Sequence, residues 1–257
     1  MGAEVQIHAP YPYLCRDIDY LIKQQLNPEI YFSADNLDNI KITEAKELAR
    51  ILNQNKRTVT FHAPFRDLSP GGSDSKIRAV TQERLLEVLR LARYFKPRVI
   101  VCHPGFNRWA SPNSLAAWLS RSLETWQPII RQAERQKTVL ALENVYEDNP
   151  QPLLTLLKTV NSPWFNFCFD IGHFNIFSVG PLSSWFKVLA PRLVEVHLHD
   201  NMGKEDQHLP IGQGTANFAQ LFLLLKKIEK PVLLAIEPIK KSHISTHMEG
   251  LARFVRE

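Results

Sequence analysis

Short apolar runs alternate with longer amphipathic segments along this chain of 257 residues. Each run is rich in Val, Ile, Leu or Phe, which is typical of strands buried on both faces of a parallel sheet. On this pattern we predict eight strands: Val5–Ala9, Glu29–Ser33, Thr58–His62, Arg98–His103, Thr138–Glu143, Phe165–Asp170, Leu193–Leu198 and Val232–Glu237.

The segments between these runs carry apolar residues at helical spacing. In the segment 77–95, for example, Leu85 and Leu89 lie on the opposite face from Arg84 and Glu87. We predict helices at Ile77–Phe95, Ser114–Gln136, Pro152–Val160, Ala216–Glu229 and Ile244–Arg256, and a shorter one at Ala45–Leu52 with Thr43 as its N-cap. Because strand and helix alternate throughout, we expect an α/β fold, a single (β/α)8 barrel domain over residues 1–257.

Six predicted strands end in a side chain that can bind a metal ion, and the C-terminal strand ends of a barrel meet at one face. Three further candidates follow in the loops. Gly172 is expected to let the backbone turn so that His173 faces the same point, and an extended Asp206-Gln207-His208 segment would place its two outer side chains on one side. Imidazoles and carboxylates suit Zn²⁺, Mn²⁺ or Fe. The sequence thus predicts a metal site at the C-terminal face, with these ligands: His62, His103, Glu143, Asp170, His173, His197, Asp206, His208 and Glu237.

Taken singly, such a histidine is more often a hydrogen-bonded core residue, and such a carboxylate a helix cap. Nine coincidences at one face are less easily explained in that way, since buried carboxylates without compensation are costly.

Composition and charge narrow the class of protein only slightly. The formal net charge is +5, with basic residues scattered along the chain, which permits an anionic substrate or nucleic acid but requires neither. Cys15, Cys102 and Cys168 form no CxxC motif and are expected to be reduced thiols. With no signal-peptide pattern and no long apolar stretch, we expect a cytoplasmic protein without a membrane span. Nothing in the sequence identifies an oligomer interface.

Several motifs together resemble the signature blocks of the endonuclease IV family (AP endonuclease family 2), a branch of the xylose isomerase-like TIM barrels. The resemblance extends from about residue 5 to residue 240. Its motifs are Phe61-His62-Ala63-Pro64, His103-Pro104-Gly105, Leu142-Glu143-Asn144, Asp170-Ile171-Gly172-His173, Val196-His197-Leu198-His199-Asp200, Asp206-Gln207-His208 and Gly212-Gln213-Gly214.

This resemblance implies up to three metal ions, usually zinc, held by the nine ligands. His62, His103 and Glu143 would hold one ion. Glu143 would bridge to a second ion, completed by Asp170, His197 and Glu237. The third ion would be held by His173, Asp206 and His208. The implied activity is metal-dependent hydrolysis of a phosphoester by a metal-activated hydroxide.

The substrate is expected to be a small phosphoester or sugar phosphate. Segment 34–40 after the second strand is acidic and has no Arg, which argues against binding to the phosphates of DNA. We predict that His8, Arg66, Trp109 and His199 contact the substrate.

Two alternatives remain open. Sugar isomerases and epimerases of the same superfamily hold one manganese, magnesium or zinc ion on residues that match Glu143, Asp170, His197 and Glu237, and use the two Glu as acid and base. The five additional ligands favour the multi-metal hydrolase. The second alternative is a barrel that binds a ligand without catalysis, against which the complete ligand set argues.

Overall fold

Eight parallel strands close into a barrel in sequence order, in a computed structural model that describes residues 4–109 and 115–255. Every strand pairs in parallel with its neighbours along the chain, and the first strand pairs with the last. The fold and all eight strands are therefore confirmed, with ends that differ from the prediction by a few residues. The strands are β1 (Val5–Pro10), β2 (Asn27–Tyr31), β3 (Thr60–His62), β4 (Val99–Cys102), β5 (Val139–Glu143), β6 (Phe165–Asp170), β7 (Leu193–Leu198) and β8 (Leu233–Ile236).

Helices surround the barrel and bury their apolar faces against the strands, as in Trp126 and Trp185, both fully buried. In the described residues the α-helices are α1 (Tyr11–Lys23), α2 (Ala34–Asn39), α3 (Ile42–Gln54), α4 (Ser75–Phe95), α5 (Leu115–Gln136), α6 (Gln151–Val160), α7 (Ile171–Phe177), α8 (Leu182–Leu189), α9 (Phe218–Leu225) and α10 (Ile244–Val255). None of these helices combines the length and hydropathy that a membrane crossing requires.

Two helix predictions, those over Ala45–Leu52 and 216–229, were wrong in their bounds. The helix predicted from Ala45 begins at Ile42, so Thr43 lies inside it, and the N-cap residue Lys41 makes no side-chain capping bond. The acidic segment after β2 is the helix α2, because Ser33 and Asn36 form a capping box. The helix predicted over 216–229 is confined to Phe218–Leu225. Ser114 and Arg256, the predicted outer ends of two other helices, lie outside the described residues.

Candidate active site

A cavity of about 470 Å³ opens at the C-terminal ends of the strands. Seven of the nine predicted ligands line it, together with His8 and Arg66. The other two, Asp170 and His197, have no exposed surface and lie beneath its floor. The structure therefore brings the predicted ligands to one place, as the positions at the strand ends require.

Glu143, at the end of β5, lies at the centre of this cluster. Its Oε2 lies 3.1 Å from His62 Nε2 and 3.1 Å from His103 Nε2. Its Oε1 lies 3.1 Å from His173 Nδ1 and 3.4 Å from His197 Nδ1. One buried carboxylate thus contacts histidines from four different segments of the chain.

His197, near the C-terminal end of β7, lies at the position where a cation fits best. Its Nδ1 is buried and has no hydrogen-bond partner within residues 4–109 and 115–255. Three carboxylate oxygens surround this atom: Glu237 Oε1 at 3.1 Å, Glu143 Oε1 at 3.4 Å and Asp170 Oδ2 at 3.8 Å. A nitrogen lone pair and three carboxylates at such separations match the donor set and spacing around one divalent cation.

A second group of donors lies towards the rim of the cavity. Asp206 Oδ2 is 3.1 Å from His208 Nε2 and 3.5 Å from His173 Nε2, and His208 Nδ1 is 3.5 Å from Glu237 Oε2. The prediction of an extended 206–208 segment was wrong, because His208 has a left-handed backbone with φ of 46°. The two side chains nevertheless meet.

Backbone carbonyl groups orient three of the histidines in the same way. His62 Nδ1 donates to Ala63 O (2.9 Å), His173 Nδ1 to Asn144 O (3.1 Å) and His208 Nδ1 to Glu237 O (3.2 Å), on the tautomers that this bonding requires. When such a ring is neutral, its proton lies on Nδ1 and Nε2 carries the lone pair, the form in which imidazole binds metals.

The charges in the cluster are strongly coupled. Burial opposes ionisation of Glu143 and Glu237, yet the charge of His197 and the other histidines holds both pKa values well below the ordinary one. Burial lowers the pKa of His208, but the hydrogen bond to Asp206 and the charge of Glu237 raise it to about 9. Where an imidazole of this cluster carries a proton that balances the carboxylates, a bound cation would displace that proton.

Gly172 has a role that differs from the predicted turn, which was wrong. Helix α7 begins directly after Asp170, whose Oδ1 accepts a hydrogen bond from the backbone N–H of His173 at 2.7 Å. Gly172 lies inside this helix, and a Cβ there would come 2.0 Å from the ring of His199. Glycine is therefore needed because the histidine packs directly against the helix backbone.

The loop that carries Asp206 and His208 is fixed by Asp200. Its carboxylate accepts hydrogen bonds from the backbone N–H groups of Gly212, Gly214 and Ala216 at 2.8–3.1 Å. These hydrogen bonds tie Asp200, before the loop, to the backbone that follows the loop. They therefore hold Asp206 and His208 in place at the cavity.

The four predicted substrate contacts lie in different environments. His8 and Arg66 line the cavity. His199 is fully buried behind it, where its Nε2 is 3.0 Å from Asp170 Oδ2 and its ring stacks on that of His208 at 3.9 Å. Trp109 is 59% exposed and lies outside the cavity lining, with its ring against those of Tyr146 and Phe177, two residues that do line it.

Glu29, in the middle of β2, is a functional candidate that the sequence analysis missed. It is fully buried, and it bonds to His197 Nε2 at 3.1 Å and to His8 Nδ1 at 3.1 Å. Burial alone would raise its pKa, but the charges and hydrogen bonds of the two histidines hold it at about 2. The available signal was a carboxylate inside an otherwise apolar strand, level with His8 across the sheet.

Fold and site together define a (β/α)8 barrel with a cluster of metal-ligating side chains at its C-terminal face. The model of the xylose isomerase-like TIM barrel family matches residues 28–256, so the chain belongs to that family.

The chain is also similar to a curated relative in sequence and to solved structures in fold. The uncharacterized protein MJ1311 of Methanocaldococcus jannaschii is 30% identical over 201 residues, which cover 75% of this chain and 68% of the relative. A D-tagatose 3-epimerase-like protein superposes with a TM-score of 0.86 at 24% identity, over 98% of this chain and 97% of the other. The D-psicose 3-epimerase of Clostridium cellulolyticum H10, solved with D-tagatose, gives 0.74 at 15% identity, over 91% and 84% of the two chains.

Proposed function

We propose that this protein is a metal-dependent epimerase or isomerase of a sugar or sugar phosphate, with one divalent cation held by Glu143, Asp170, His197 and Glu237. The observation that carries the proposal is the unpartnered His197 Nδ1 with three carboxylate oxygens around it. The resemblance in fold to sugar 3-epimerases supports this alternative over the phosphoester hydrolase that the sequence analysis preferred.

A cation bound there would polarise the carbonyl and hydroxyl oxygens of a hydroxyketone, which makes the neighbouring C–H group more acidic. Glu143 and Glu237 then carry out the proton transfers. Both line the cavity and come from β5 and β8, which are separated by two strands in the barrel, so they reach the substrate from different sides.

One of the two carboxylates removes the proton from the carbon next to the carbonyl group. The other must carry a proton, which in an epimerase it returns to the opposite face of the same carbon. In an isomerase the proton is returned to the former carbonyl carbon, while the hydroxyl proton of the first carbon passes to the former carbonyl oxygen. The reverse reaction exchanges the two roles, so no redox partner is consumed.

The neighbouring histidines suit a polyhydroxylated substrate. His8, His62 and His103 line the same cavity, and their ring nitrogens can exchange hydrogen bonds with hydroxyl groups. Phe65 stacks on the ring of His103 at 4.2 Å and lies edge-on to His62 at 5.4 Å, which fixes both imidazoles.

Arg66 follows Phe65 at the mouth of the cavity. It is exposed, and in residues 4–109 and 115–255 it forms no salt bridge. A guanidinium group in this position suits a phosphate group on the substrate.

A second candidate function is phosphoester hydrolysis with more than one metal ion. It is favoured by the single Glu143 oxygen shared between His62 and His103, and by the Asp206–His208 pair at the rim. The two functions differ in the number of cations that the site binds.

The test is solvent proton exchange. The Mn²⁺-loaded protein is incubated in D₂O with D-tagatose, D-fructose, D-allulose and their phosphates, and ¹H NMR follows the C–H group next to the carbonyl. Exchange together with a new epimer or isomer is expected. Hydrolysis of bis(p-nitrophenyl) phosphate without exchange into any of these sugars would support the second candidate and contradict the first.

A further inference from the structure

A single carboxylate beneath the site contacts two of its histidines. Glu29 is fully buried in β2 and does not line the cavity, so it cannot reach a substrate. Its Oε1 is 3.1 Å from His197 Nε2, and its Oε2 is 3.1 Å from His8 Nδ1. Its two oxygens therefore each have a separate histidine partner.

The contact to His197 determines which ring nitrogen can bind a cation. A neutral imidazole carries one N–H group, and the carboxylate of Glu29 can only accept it. With the proton on Nε2, the lone pair lies on Nδ1, the atom that three carboxylate oxygens surround. A metal-bound histidine whose second nitrogen donates to a carboxylate is oriented and made more basic by that bond.

The contact to His8 acts on the cavity wall. His8 is 20% exposed, and its Nδ1 lies between Glu29 Oε2 at 3.1 Å and Glu237 Oε1 at 3.5 Å. When Nδ1 of His8 donates to Glu29, Nε2 is left as an acceptor for a substrate hydroxyl group. The same N–H group is then not engaged in a hydrogen bond to Glu237.

We infer that Glu29 is a positioning residue that sets the tautomers of both His197 and His8, and so couples cation binding to substrate binding. This inference rests on the cation site of the proposed function. If Glu29 were only a charge that the barrel interior tolerates, nothing would require each of its two oxygens to contact a histidine of the site.

The test is the affinity for Mn²⁺ and Zn²⁺, measured by chelator competition on wild type, Glu29→Gln and Glu195→Gln. Glu195 is a matched control, because it is equally buried beside Glu29 and His197, yet neither of its oxygens bonds to a histidine among the described residues. Loss of the carboxylate partner of a metal-bound histidine typically costs about 10- to 100-fold in affinity. We expect that loss for Glu29→Gln, with a less than threefold change for Glu195→Gln. Unchanged affinity in Glu29→Gln, or an equal loss in both variants, would overturn the inference.

A second measurement needs no folded variant of Glu29. In Zn²⁺-loaded wild-type protein labelled with ¹⁵N-histidine, the His197 resonances are assigned by comparison with His197→Asn. Protonation at Nε2 with the cation on Nδ1 is expected, and a proton on Nδ1 would contradict the proposed role.

The outcomes separate this inference from the proposed function. If wild type binds the cation tightly and Glu29→Gln does not, the role of Glu29 stands even if no sugar is turned over. If wild type binds neither cation, the cation site itself fails. A substrate effect through His8 would appear as a raised KM in His8→Ala with unchanged metal affinity.

Discussion

The two halves of the barrel carry different chemistry at the same face. Strands β5 to β8 bring Glu143, Asp170, His197 and Glu237, three carboxylates and one imidazole that lie on or under the cavity floor. Strands β1 to β4, with the residues that directly follow them, bring the imidazoles of His8, His62 and His103 to the cavity wall beside apolar and aromatic side chains, with the carboxylate of Glu29 beneath them. The carboxylate half is suited to hold a cation and move protons, and the imidazole half to hold a neutral polar substrate.

Electrostatics explains why these roles are divided. Negative charge concentrated on one side lowers the cost of burying a divalent cation, whereas a second ring of carboxylates would repel an anionic substrate group. If the division is correct, substitutions in the carboxylate half affect kcat and metal binding, and substitutions in the imidazole half affect KM.

Glu237→Gln should have the largest effect. It removes one of the two proton-transferring carboxylates and one ligand of the cation, so we expect kcat for proton exchange to fall by about 10²- to 10⁴-fold. The exposed Glu249→Gln in α10 is the control and should retain wild-type rates. Full activity in Glu237→Gln would contradict the role in proton transfer and cation binding that we assign to the carboxylate half.

Metal affinity should rise with pH. Burial lowers the pKa of His173, His197 and His208, but the charges of surrounding carboxylates and the hydrogen bonds to them outweigh it. Together they raise the pKa of His173 and His197 well above the ordinary value, and that of His208 to about 9. The raised pKa values favour the protonated form of these imidazoles in the metal-free protein, and a ring that binds a cation must release its proton. Affinity for Mn²⁺ measured from pH 6 to 9 should increase by about tenfold for each proton released per pH unit. A flat profile would contradict protonated ligands in the metal-free state.

His103→Ala tests the imidazole half directly. Because His103 contacts Glu143 but is not among the four residues assigned to the cation, we expect KM to rise by about tenfold, the equivalent of one or two lost hydrogen bonds. The metal content should not change. Loss of a metal ion from His103→Ala would favour the multi-metal hydrolase over the epimerase.

Of these substitutions, Glu147→Gln should have the smallest effect on activity. Its main effect should be on the free energy of unfolding. Burial raises the pKa of Glu147 to about 7, so the folded protein holds a proton there that the unfolded chain releases near pH 4.5. This difference destabilises the wild type increasingly between pH 4.5 and 7, by up to about 3 kcal/mol at higher pH. The free energy of unfolding of Glu147→Gln relative to wild type should therefore rise over that interval and level off above pH 7. A difference that does not vary with pH would contradict an ionisable carboxyl group with a raised pKa.

Much of the fold and most of the site could be predicted from the order of residues. His62, Glu143, Asp170 and His197 each occupy the last positions of a strand, and the ends of parallel barrel strands share one face, so the apolar runs alone bring them together.

Features that depend on close packing could not be predicted in this way. The need for glycine at position 172 arises from the ring of His199, which directly follows β7 and is 27 residues away in sequence. The role of Glu29 depends on which way the strand pleat turns its side chain, and an error of one residue in register would point it outwards. Hydrogen bonds from His62, His173 and His208 to backbone carbonyls decide their tautomers, and no residue type encodes the position of a carbonyl oxygen.

The central claim is one tight cation in the carboxylate half of the barrel, and metal stoichiometry tests it most directly. The purified protein is stripped with a chelator, reconstituted with Mn²⁺ or Zn²⁺, desalted and analysed for metal and protein, alongside His197→Asn. We expect close to one ion per wild-type chain and none in His197→Asn. Three ions per wild-type chain, or one ion retained in His197→Asn, would contradict it.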